Sequence, residues 1–398
     1  MKLDNLPPWP SFTQEEADKV SEVLLSNKVN YWTGTEGRTF EKEFAEFADS
    51  EYAIAVANGT VALDLALYAL GIGEGDEVIV TPRTFIASIS AIVNTGATPV
   101  FADVDRASQN ITPESVRKVI TSKTKAVVCV HLAGWPCDMD GFMALAKEHD
   151  LNIIEDCAQA HGAKYTGKDG FNRSVGSIGH IGAWSFCQDK IMTTGGEGGM
   201  VTTNDKQLWE KMWSFKDHGK SYDAVYNREH PPGFRWLHES FGTNWRLTEM
   251  QSAIGRIQLT RMREWTAQRA RNAEAIAKTC RKFDFLRVPE APENLTHAHY
   301  KFYAFVVPER LPKNLTRDGI IEAVNAAGIP CMQGSCSEVY LEKAFDSLPS
   351  RPVQRLPVAK ELGKTSLLFL VHPTITDEVI KDLCDALEEI LYSVMSPF

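Results

Sequence analysis

A single lysine lies between two β-prone runs in the segment GAWSFCQDKIMTTGGEGGMVTTN, residues 182–204. A short apolar run, residues 183–186, precedes Lys190, and a glycine-rich turn, residues 195–199, follows it. Glycines allow a tight turn and a close approach of the backbone, so this lysine is expected on a stiff platform. A lysine shielded from water can lower its pKa and form a Schiff base with a carbonyl. The motif alone is equally compatible with a surface lysine beside a hairpin turn.

A carboxylate ends an apolar strand upstream of this lysine, because Asp156 closes the run LNIIED. A buried carboxylate needs a partner, and the ring nitrogen of pyridoxal phosphate is a suitable one. That ion pair would keep the nitrogen protonated and make the ring an electron sink. The alternative is an acidic residue that caps a helix or forms a turn.

A phosphate site is indicated where another strand turns into a helix, at Gly59 and Thr60. Free backbone N–H groups and the positive end of the helix dipole can hold a phosphate at such a place. Ser185, shortly before Lys190, could add a hydroxyl to the same group. The alternatives are a plain N-cap at Thr60 and a small packing residue at Ser185.

Two further side chains suit the same cofactor. Phe85 opens the helix after the second strand and could lie against the cofactor ring, or it could be an ordinary core residue. Gln159 could donate a hydrogen bond to the phenolic oxygen, or it could be a solvated loop residue. Each signal is weak alone, but the set follows strand ends, where ligands of open α/β sheets bind. The sequence therefore predicts a pyridoxal 5′-phosphate site.

The elements that must position these residues alternate regularly between strand and helix from residue 51 onward. This alternation predicts an α/β fold with a mostly parallel sheet covered by helices on both faces. We divide the chain into an N-terminal arm and helix (1–28), a large cofactor-binding domain (29–262) and a smaller C-terminal α+β domain (263–398). A long helix from about Leu247 to Lys278 connects the last two, and Thr13 with Glu16 forms a capping box for the first helix.

Composition and charge exclude several classes of protein. The chain has 398 residues, of which 43% are hydrophobic, as in ordinary globular proteins, and a formal net charge of −10 disfavours nucleic acid as a partner. We expect no membrane segment and no export signal, since the N-terminus has no apolar core of signal-peptide type. The eight cysteines are scattered and the histidines lack an HExxH spacing, so we expect a cytoplasmic protein without a metal site.

Six segments of the sequence resemble the DegT/DnrJ/StrS family of sugar aminotransferases: NGTVALDLAL, GDEVIVTPRTF, GATPVFADVD, IIEDCAQAHGA, WSFCQDKIMTTGGEGG and FGTNWRLTEMQSAIG. They occur in the family's order, and the resemblance runs from about Trp9 to the last helix. It implies the type I aminotransferase fold with a seven-stranded type of large sheet. It also implies a homodimer with active sites at the interface between the subunits.

The resemblance assigns a role to each candidate residue. It makes Lys190 the Schiff-base lysine and Asp156 the partner of the pyridinium nitrogen. The other cofactor-binding residues that it implies are Gln159 at the phenolic oxygen, Gly59, Thr60 and Ser185 at the phosphate, Phe85 as the stacking aromatic ring, and Asn244, which reaches the cofactor phosphate of the neighbouring subunit.

The reaction implied is transfer of an amino group from L-glutamate to a nucleotide-linked keto-sugar, with C4 of a 4-keto-6-deoxyhexose as the leading position and a surface polysaccharide as the destination. The alternatives are transfer at C3, a dehydratase on the same fold and a non-catalytic cofactor-binding regulator. A dehydratase branch of the family has histidine where Lys190 stands, so the lysine favours amino transfer. Two segments depart from the family, GIPCMQGSCSEVY and HPPGFRWLHESF, and we assign no sugar-binding residues in them.

Overall fold

The computed structural model describes residues 6–395, and its largest layer is a seven-stranded sheet. The strands are β1 (Tyr52–Val56), β2 (Glu77–Val80), β3 (Thr98–Phe101), β4 (Thr124–Val130), β5 (Asn152–Asp156), β6 (Lys164–Thr166), β7 (Asn172–Ser174), β8 (Ile181–Ser185), β9 (Gly199–Thr203), β10 (Leu286–Arg287), β11 (Leu295–Thr296), β12 (Phe302–Val306), β13 (Cys331–Met332) and β14 (Ser366–Phe369). The α-helices are α1 (Gln14–Leu25), α2 (Glu36–Phe47), α3 (Gly59–Ala69), α4 (Ala87–Asn94), α5 (Pro113–Arg117), α6 (Met139–His149), α7 (Lys206–Lys216), α8 (Tyr222–Tyr226), α9 (Glu249–Cys280), α10 (Arg317–Ala326), α11 (Pro357–Thr365) and α12 (Asp377–Met395).

The large sheet is mostly parallel, as predicted. Its strands lie in the order β1, β9, β8, β5, β4, β2, β3. Strand β9 is antiparallel to both of its neighbours, and the other adjacent pairs are parallel. The glycine-rich turn after Lys190 explains this exception, because it returns the chain directly from β8 into β9 without a crossover helix.

Helices cover both faces of this sheet because its strands are apolar on both sides. In β2, Val78 and Val80 pack with α3 and α4 in one core cluster, whereas Ile79 packs with α6 in another. Successive residues of a strand point to opposite faces, so an uninterrupted apolar run must be covered twice. The pattern places the turns between strands and helices at the sheet edge, where the candidate site residues lie.

A second sheet contains β10, β12, β14 and β13 in that order, with all pairs antiparallel. Helices α9, α10 and α12 pack with it around a separate apolar cluster that includes Ile276, Phe302 and Leu387. This arrangement confirms the smaller α+β part of the predicted fold. The boundaries at residues 28/29 and 262/263 stay predictions, and α9 continues without interruption through the second of them.

A third, small sheet was not predicted. It consists of β11, β6 and β7, which have only two or three residues each. Strands this short show no alternation that a sequence pattern can reveal, and β11 comes from a distant part of the chain.

Helix α9 begins two residues later than expected, because the Thr248 hydroxyl accepts a hydrogen bond from the Gln251 N–H (3.3 Å) and caps the helix.

The N-terminal arm leads into α1 as predicted. The backbone N–H of Thr13 donates to the Glu16 carboxylate (2.7 Å), which completes the expected capping box. No helix within residues 6–395 has the length and apolar character needed to cross a membrane. All eight cysteine thiols are free.

Candidate active site

An open pocket of about 1090 Å³ lies at the carboxyl ends of the parallel strands. It is bordered by the turns that follow β1, β2, β5 and β8, and by segments next to β12 and β13. The predicted site residues that line it are Gly59, Thr60, Phe85, Asp156, Gln159, Ser185 and Lys190. The topology brings these residues together because the carboxyl ends of parallel strands share one edge of the sheet.

Lys190 lies in the turn after β8, and two hydrogen bonds fix its backbone. Its N–H donates to the Cys187 carbonyl (3.0 Å), and its carbonyl accepts from the indole N–H of Trp9 (2.8 Å). Its Nζ lies 5.2 Å from the centroid of the Tyr300 ring and has no hydrogen-bonding partner among residues 6–395. Tyr300 is itself anchored, because its hydroxyl donates to Asp189. An amine without a partner on a fixed backbone suits a covalent role.

The glycines after Lys190 are required by the backbone and by close packing. Gly195 and Gly196 have φ angles of 82° and 114°, in the region that side chains rarely adopt. A Cβ on Gly199 would lie 2.4 Å from the carbonyl oxygen of Asn58, so only glycine lets β9 approach the start of α3. The turn therefore packs the lysine segment against the candidate phosphate site.

Asp156 is a buried carboxylate at the end of β5, 5% exposed. Its Oδ2 accepts from the Ser88 hydroxyl (2.8 Å), and its Oδ1 accepts from the Ala158 N–H (3.2 Å). Burial raises the pKa of Asp156, while these two hydrogen bonds and the charge of Lys190 oppose the rise. A cation placed in the pocket against this carboxylate would favour its ionised form, which is what a pyridinium nitrogen requires.

The start of α3 presents free backbone donors to the pocket. Asn58 is the N-cap, since its side chain accepts from the Val61 N–H (3.0 Å), so Thr60 is not the cap. The N–H groups of Gly59 and Thr60 occupy the first turn and have no carbonyl partner within the helix. A Cβ on Gly59 would lie 2.5 Å from the Cβ of Ser185, so this glycine lets the serine hydroxyl approach the same donors.

Gln159 and Phe85 border the remaining space. The Gln159 Oε1 accepts from the Ala133 N–H (2.8 Å), which leaves its amide N–H₂ as a donor toward the pocket. Phe85 is 69% exposed, unlike a core phenylalanine, and its ring lines the pocket. An exposed aromatic ring at a pocket wall can stack on a flat ligand.

These residues fit pyridoxal phosphate. Unpaired backbone donors at a helix N-terminus and the adjacent Ser185 hydroxyl suit a phosphate, and the buried carboxylate of Asp156 suits a protonated ring nitrogen. The unpartnered amine of Lys190 suits an aldehyde. The pocket thus offers hydrogen-bond donors to the anionic phosphate and a carboxylate to the cationic ring nitrogen.

Asn244 is the one predicted cofactor residue outside the pocket. It is exposed, and its backbone forms an isolated bridge with Asp217. A side chain that serves the neighbouring subunit needs no contact with the pocket of its own chain. Its role across an interface stays a prediction.

Several pocket residues were missed in the sequence. Asn58 could have been recognised, since asparagine is a preferred N-cap. Ser88 and Tyr300 carry no such signal, because their contacts with Asp156 and Lys190 depend on the tertiary structure. The same is true of Trp9, which reaches the Lys190 carbonyl from the N-terminal arm.

A buried group of His131, Glu155 and Cys157 has the ligand types of a metal site. The protein already occupies most of these atoms. His131 Nδ1 accepts from the Cys137 N–H (3.0 Å), and its Nε2 faces Glu155 (3.0 Å). The Glu155 carboxylate accepts three backbone N–H groups at residues 176–179. Because the protein already fills these hydrogen-bonding positions, a structural role for the group is favoured. The absence of a metal site stays a prediction.

Comparisons with known proteins agree with this geometry. The family model described as the DegT/DnrJ/EryC1/StrS aminotransferase family matches residues 10–388. The chain is similar to the GDP-perosamine synthase of Escherichia coli O157:H7, at 36% identity over 96% of both chains. It is equally similar, at 36% identity over 92% of both chains, to the UDP-N-acetyl-3-dehydro-alpha-D-glucosamine 3-aminotransferase of Acidithiobacillus ferrooxidans.

A solved aminotransferase from Psychrobacter cryohalolentis superimposes with a TM-score of 0.96 at 66% identity, over 98% of this chain and 100% of that one. This likeness confirms the predicted fold over almost the whole chain. The family model describes aminotransferases and spans both sheets and the pocket between them. It therefore confirms the predicted activity class. The chain is an aminotransferase and belongs to the DegT/DnrJ/EryC1/StrS aminotransferase family.

Proposed function

We propose that this aminotransferase uses pyridoxal 5′-phosphate to move an amino group from L-glutamate to a nucleotide-linked keto-sugar. The observation that carries the proposal is the single pocket that contains both Lys190 and Asp156. The names of the relatives support the sugar substrate, since they include a GDP-perosamine synthase and a UDP-sugar 3-aminotransferase.

Each pocket residue has a role in this proposal. Bound pyridoxal phosphate supplies a ring that accepts the electron pair left when the donor carbon loses its proton. Lys190 Nζ would hold the cofactor covalently and, as a free amine, would be the base that takes and returns the proton of the donor carbon. Asp156 stabilises the protonated ring nitrogen by an ion pair.

The other residues hold the cofactor in position. The N–H groups of Gly59 and Thr60 and the hydroxyl of Ser185 bind its phosphate. Gln159 donates to the phenolic oxygen, and the Phe85 ring covers one face. We further propose a cytoplasmic homodimer in which Asn244 reaches the phosphate of the neighbouring subunit.

The spectrum of the protein-bound cofactor tests the function. Purified protein mixed with pyridoxal phosphate is expected to show the visible absorption band of a lysine-linked cofactor, and L-glutamate should replace it with the band of the aminated cofactor. Lys190→Ala should prevent the first band. If the wild type binds the cofactor but reacts with no amino donor, the non-catalytic alternative replaces this proposal.

The position of transfer on the sugar needs a separate experiment. Transfer at C4 of a 4-keto-6-deoxyhexose is our leading assignment, and transfer at C3 is the second candidate because one relative is named a 3-aminotransferase at equal identity. Protein carrying the aminated cofactor should be mixed with matched 3-keto and 4-keto nucleotide sugars. Return of the lysine-linked band with only the 3-keto compound would overturn the C4 assignment.

A further inference from the structure

A second lysine amine lies beside the tyrosine ring that Lys190 contacts. Lys301 immediately precedes β12, and its Nζ lies 4.7 Å from the centroid of the Tyr300 ring. The Lys190 Nζ lies 5.2 Å from the same centroid, and both lysines line the pocket. The two amines therefore lie beside the same ring of the pocket wall.

Lys301 has no counter-ion among the residues that the structure describes. Among residues 6–395 its amine forms neither an ion pair nor a hydrogen bond. Burial lowers the pKa of Lys301 to about 8; Asp189 opposes this shift, and the charges of Arg269 and Lys190 add to it. A partly buried cation without a partner is unfavourable unless a ligand supplies the opposite charge.

The surrounding charges leave a local excess of positive charge. Asp189 is the nearby carboxylate, and it already accepts the Tyr300 hydroxyl. Arg269 is 1% exposed, and its Nε and Nη2 have no hydrogen-bonding partner in the described part of the chain. Glu197 and Glu342 also line the pocket, but neither forms an ion pair with Lys301 in the described part of the chain. The pocket wall around Tyr300 is thus suited to an anion.

Lys301 also borders a smaller cavity of about 460 Å³ on the far side of this wall. That cavity contains His297 and His299, and burial lowers the pKa of both imidazoles. The Lys301 Nζ lies beside the Tyr300 ring, and Tyr300 lines the active-site pocket and not the smaller cavity. This contact places the amine at the active-site pocket.

We infer that Lys301 binds the α-carboxylate of the amino donor. This carboxylate is attached to the same carbon as the reacting amine, so it must lie close to Lys190 when the donor reacts. The diphosphate of a nucleotide sugar is separated from C3 or C4 by several bonds, which makes it a poorer match for an amine so near Lys190. The inference rests on the proposed function, because it assigns the donor subsite of that same pocket.

Binding without proton transfer gives the direct test. The probe is α-methyl-L-glutamate, which has no α-hydrogen to lose, titrated calorimetrically into the holoenzyme. Lys301→Met is expected to weaken its binding about 10- to 100-fold, as for loss of one hydrogen bond to a charged group. Lys301→Arg keeps the charge and should recover part of the affinity. The control is Lys211→Met, since Lys211 also lies over a tyrosine ring, 5.5 Å from the centroid of Tyr68, but outside the pocket.

Two amino donors identify the carboxylate. L-Glutamate and L-2-aminobutyrate share the α-carboxylate, whereas only glutamate has a side-chain carboxylate. In single-turnover measurements of the cofactor band, Lys301→Met should weaken both donors by the same factor and leave the KM of the nucleotide sugar unchanged. A loss confined to glutamate would overturn the assignment in favour of the side-chain carboxylate. A change confined to the nucleotide sugar would overturn it in favour of the diphosphate.

The outcome separates this inference from the proposed function. If the wild type reacts with glutamate and Lys301→Met reacts and binds the probe equally well, only the role of Lys301 is wrong. If the wild type reacts with no amino donor at all, the proposed function itself is wrong.

Discussion

The lysines in two regions of this molecule differ in their partners. At the end of α7, the fully buried Lys216 forms an ion pair with Glu41 at 3.7 Å but no hydrogen bond within residues 6–395. Its Nζ lies 3.9 Å from the centroid of the Tyr31 ring. In the pocket, Lys190 and Lys301 have an aromatic ring but no carboxylate in ion-pair distance within residues 6–395. The chain supplies the counter-charge in the first region and leaves it to a ligand in the second.

The carboxylates near Lys216 also have partners supplied by the chain. Asp217 accepts from Lys220 and from Arg246, at 2.6 Å each. The Glu41 carboxylate accepts from the Tyr31 hydroxyl (3.0 Å) and from the Ala55 N–H (2.9 Å). Mutual pairing makes this a structural cluster, whereas unpaired buried charges indicate a functional site. Substitutions should therefore change stability in one region and chemistry in the other.

The largest effect is expected for Lys190→Ala. The lost proton transfer alone should lower the transamination rate about 10²- to 10⁴-fold, and loss of the covalent link should add to this. The unfolding free energy of the cofactor-free protein should stay within about 0.5 kcal/mol of wild type, because the amine has no hydrogen-bonding partner in residues 6–395. Rates come from the cofactor band and stability from urea unfolding. A large loss of stability would place Lys190 with the structural cluster instead.

Asp156→Asn should reduce activity while preserving the cofactor-free fold. An amide keeps the shape of the carboxylate but cannot hold the ring nitrogen protonated, so we expect the rate to fall by on the order of 10²-fold. Because burial raises the pKa of Asp156, removing its charge should leave the cofactor-free protein equally stable or more stable. The cofactor band measures the rate. Urea unfolding with and without pyridoxal phosphate measures the stability. A cofactor-free protein destabilised by several kcal/mol would contradict the functional assignment.

Lys216→Met is expected to act in the opposite direction. Removing one partner of a buried pair leaves Glu41 uncompensated, so the unfolding free energy should fall by about 3 kcal/mol. The folded variant should still show the band of the lysine-linked cofactor, since Lys216 lies outside the pocket. The double variant with Glu41→Gln should recover part of the lost stability. If the single variant is as stable as wild type, pairing does not explain the burial of Lys216.

The two regions also differ in how far the sequence could predict them. Asp156, Gly59 and Ser185 were predicted because each follows or ends a strand, and parallel strands end at one edge of the sheet. Tyr300 and Lys301 come from a segment beside the second sheet, so their position near Lys190 depends on how the two sheets pack.

The structural cluster gave a different kind of signal. Tyr31 belongs to an aromatic loop, residues 29–34, and the structure places it in the buried cluster at 4% exposure. Its partner Lys216 lies at the end of a helix with ordinary amphipathic spacing, so nothing in the sequence distinguishes it from an exposed lysine. Contacts between residues far apart in the chain therefore determine the positions of both Tyr31 and Lys216.

The smallest expected effect is the pH dependence of the Lys216→Met destabilisation. Burial raises the pKa of Glu41, and the Lys216 charge opposes that rise. Removing Lys216 should raise the pKa further, so the folded variant retains a proton on Glu41 to higher pH. A carboxyl with a raised folded pKa stabilises the fold below its unfolded pKa and loses that contribution as pH rises through the folded value.

The stability difference between wild type and Lys216→Met should therefore be smaller at about pH 5 than at about pH 7.5, by about 1.4 kcal/mol for each unit of added pKa shift within that window. Urea unfolding at the two pH values measures this change. Glu41→Gln in both backgrounds is the control, since the stability difference should then no longer depend on pH. The same experiment on Lys301→Met should show a much smaller change between these two pH values, because no buried carboxylate of residues 6–395 pairs with Lys301 and its own pKa of about 8 lies above the window. Equal pH profiles for the two lysine variants would remove the distinction between a lysine paired by the fold and a lysine reserved for a ligand.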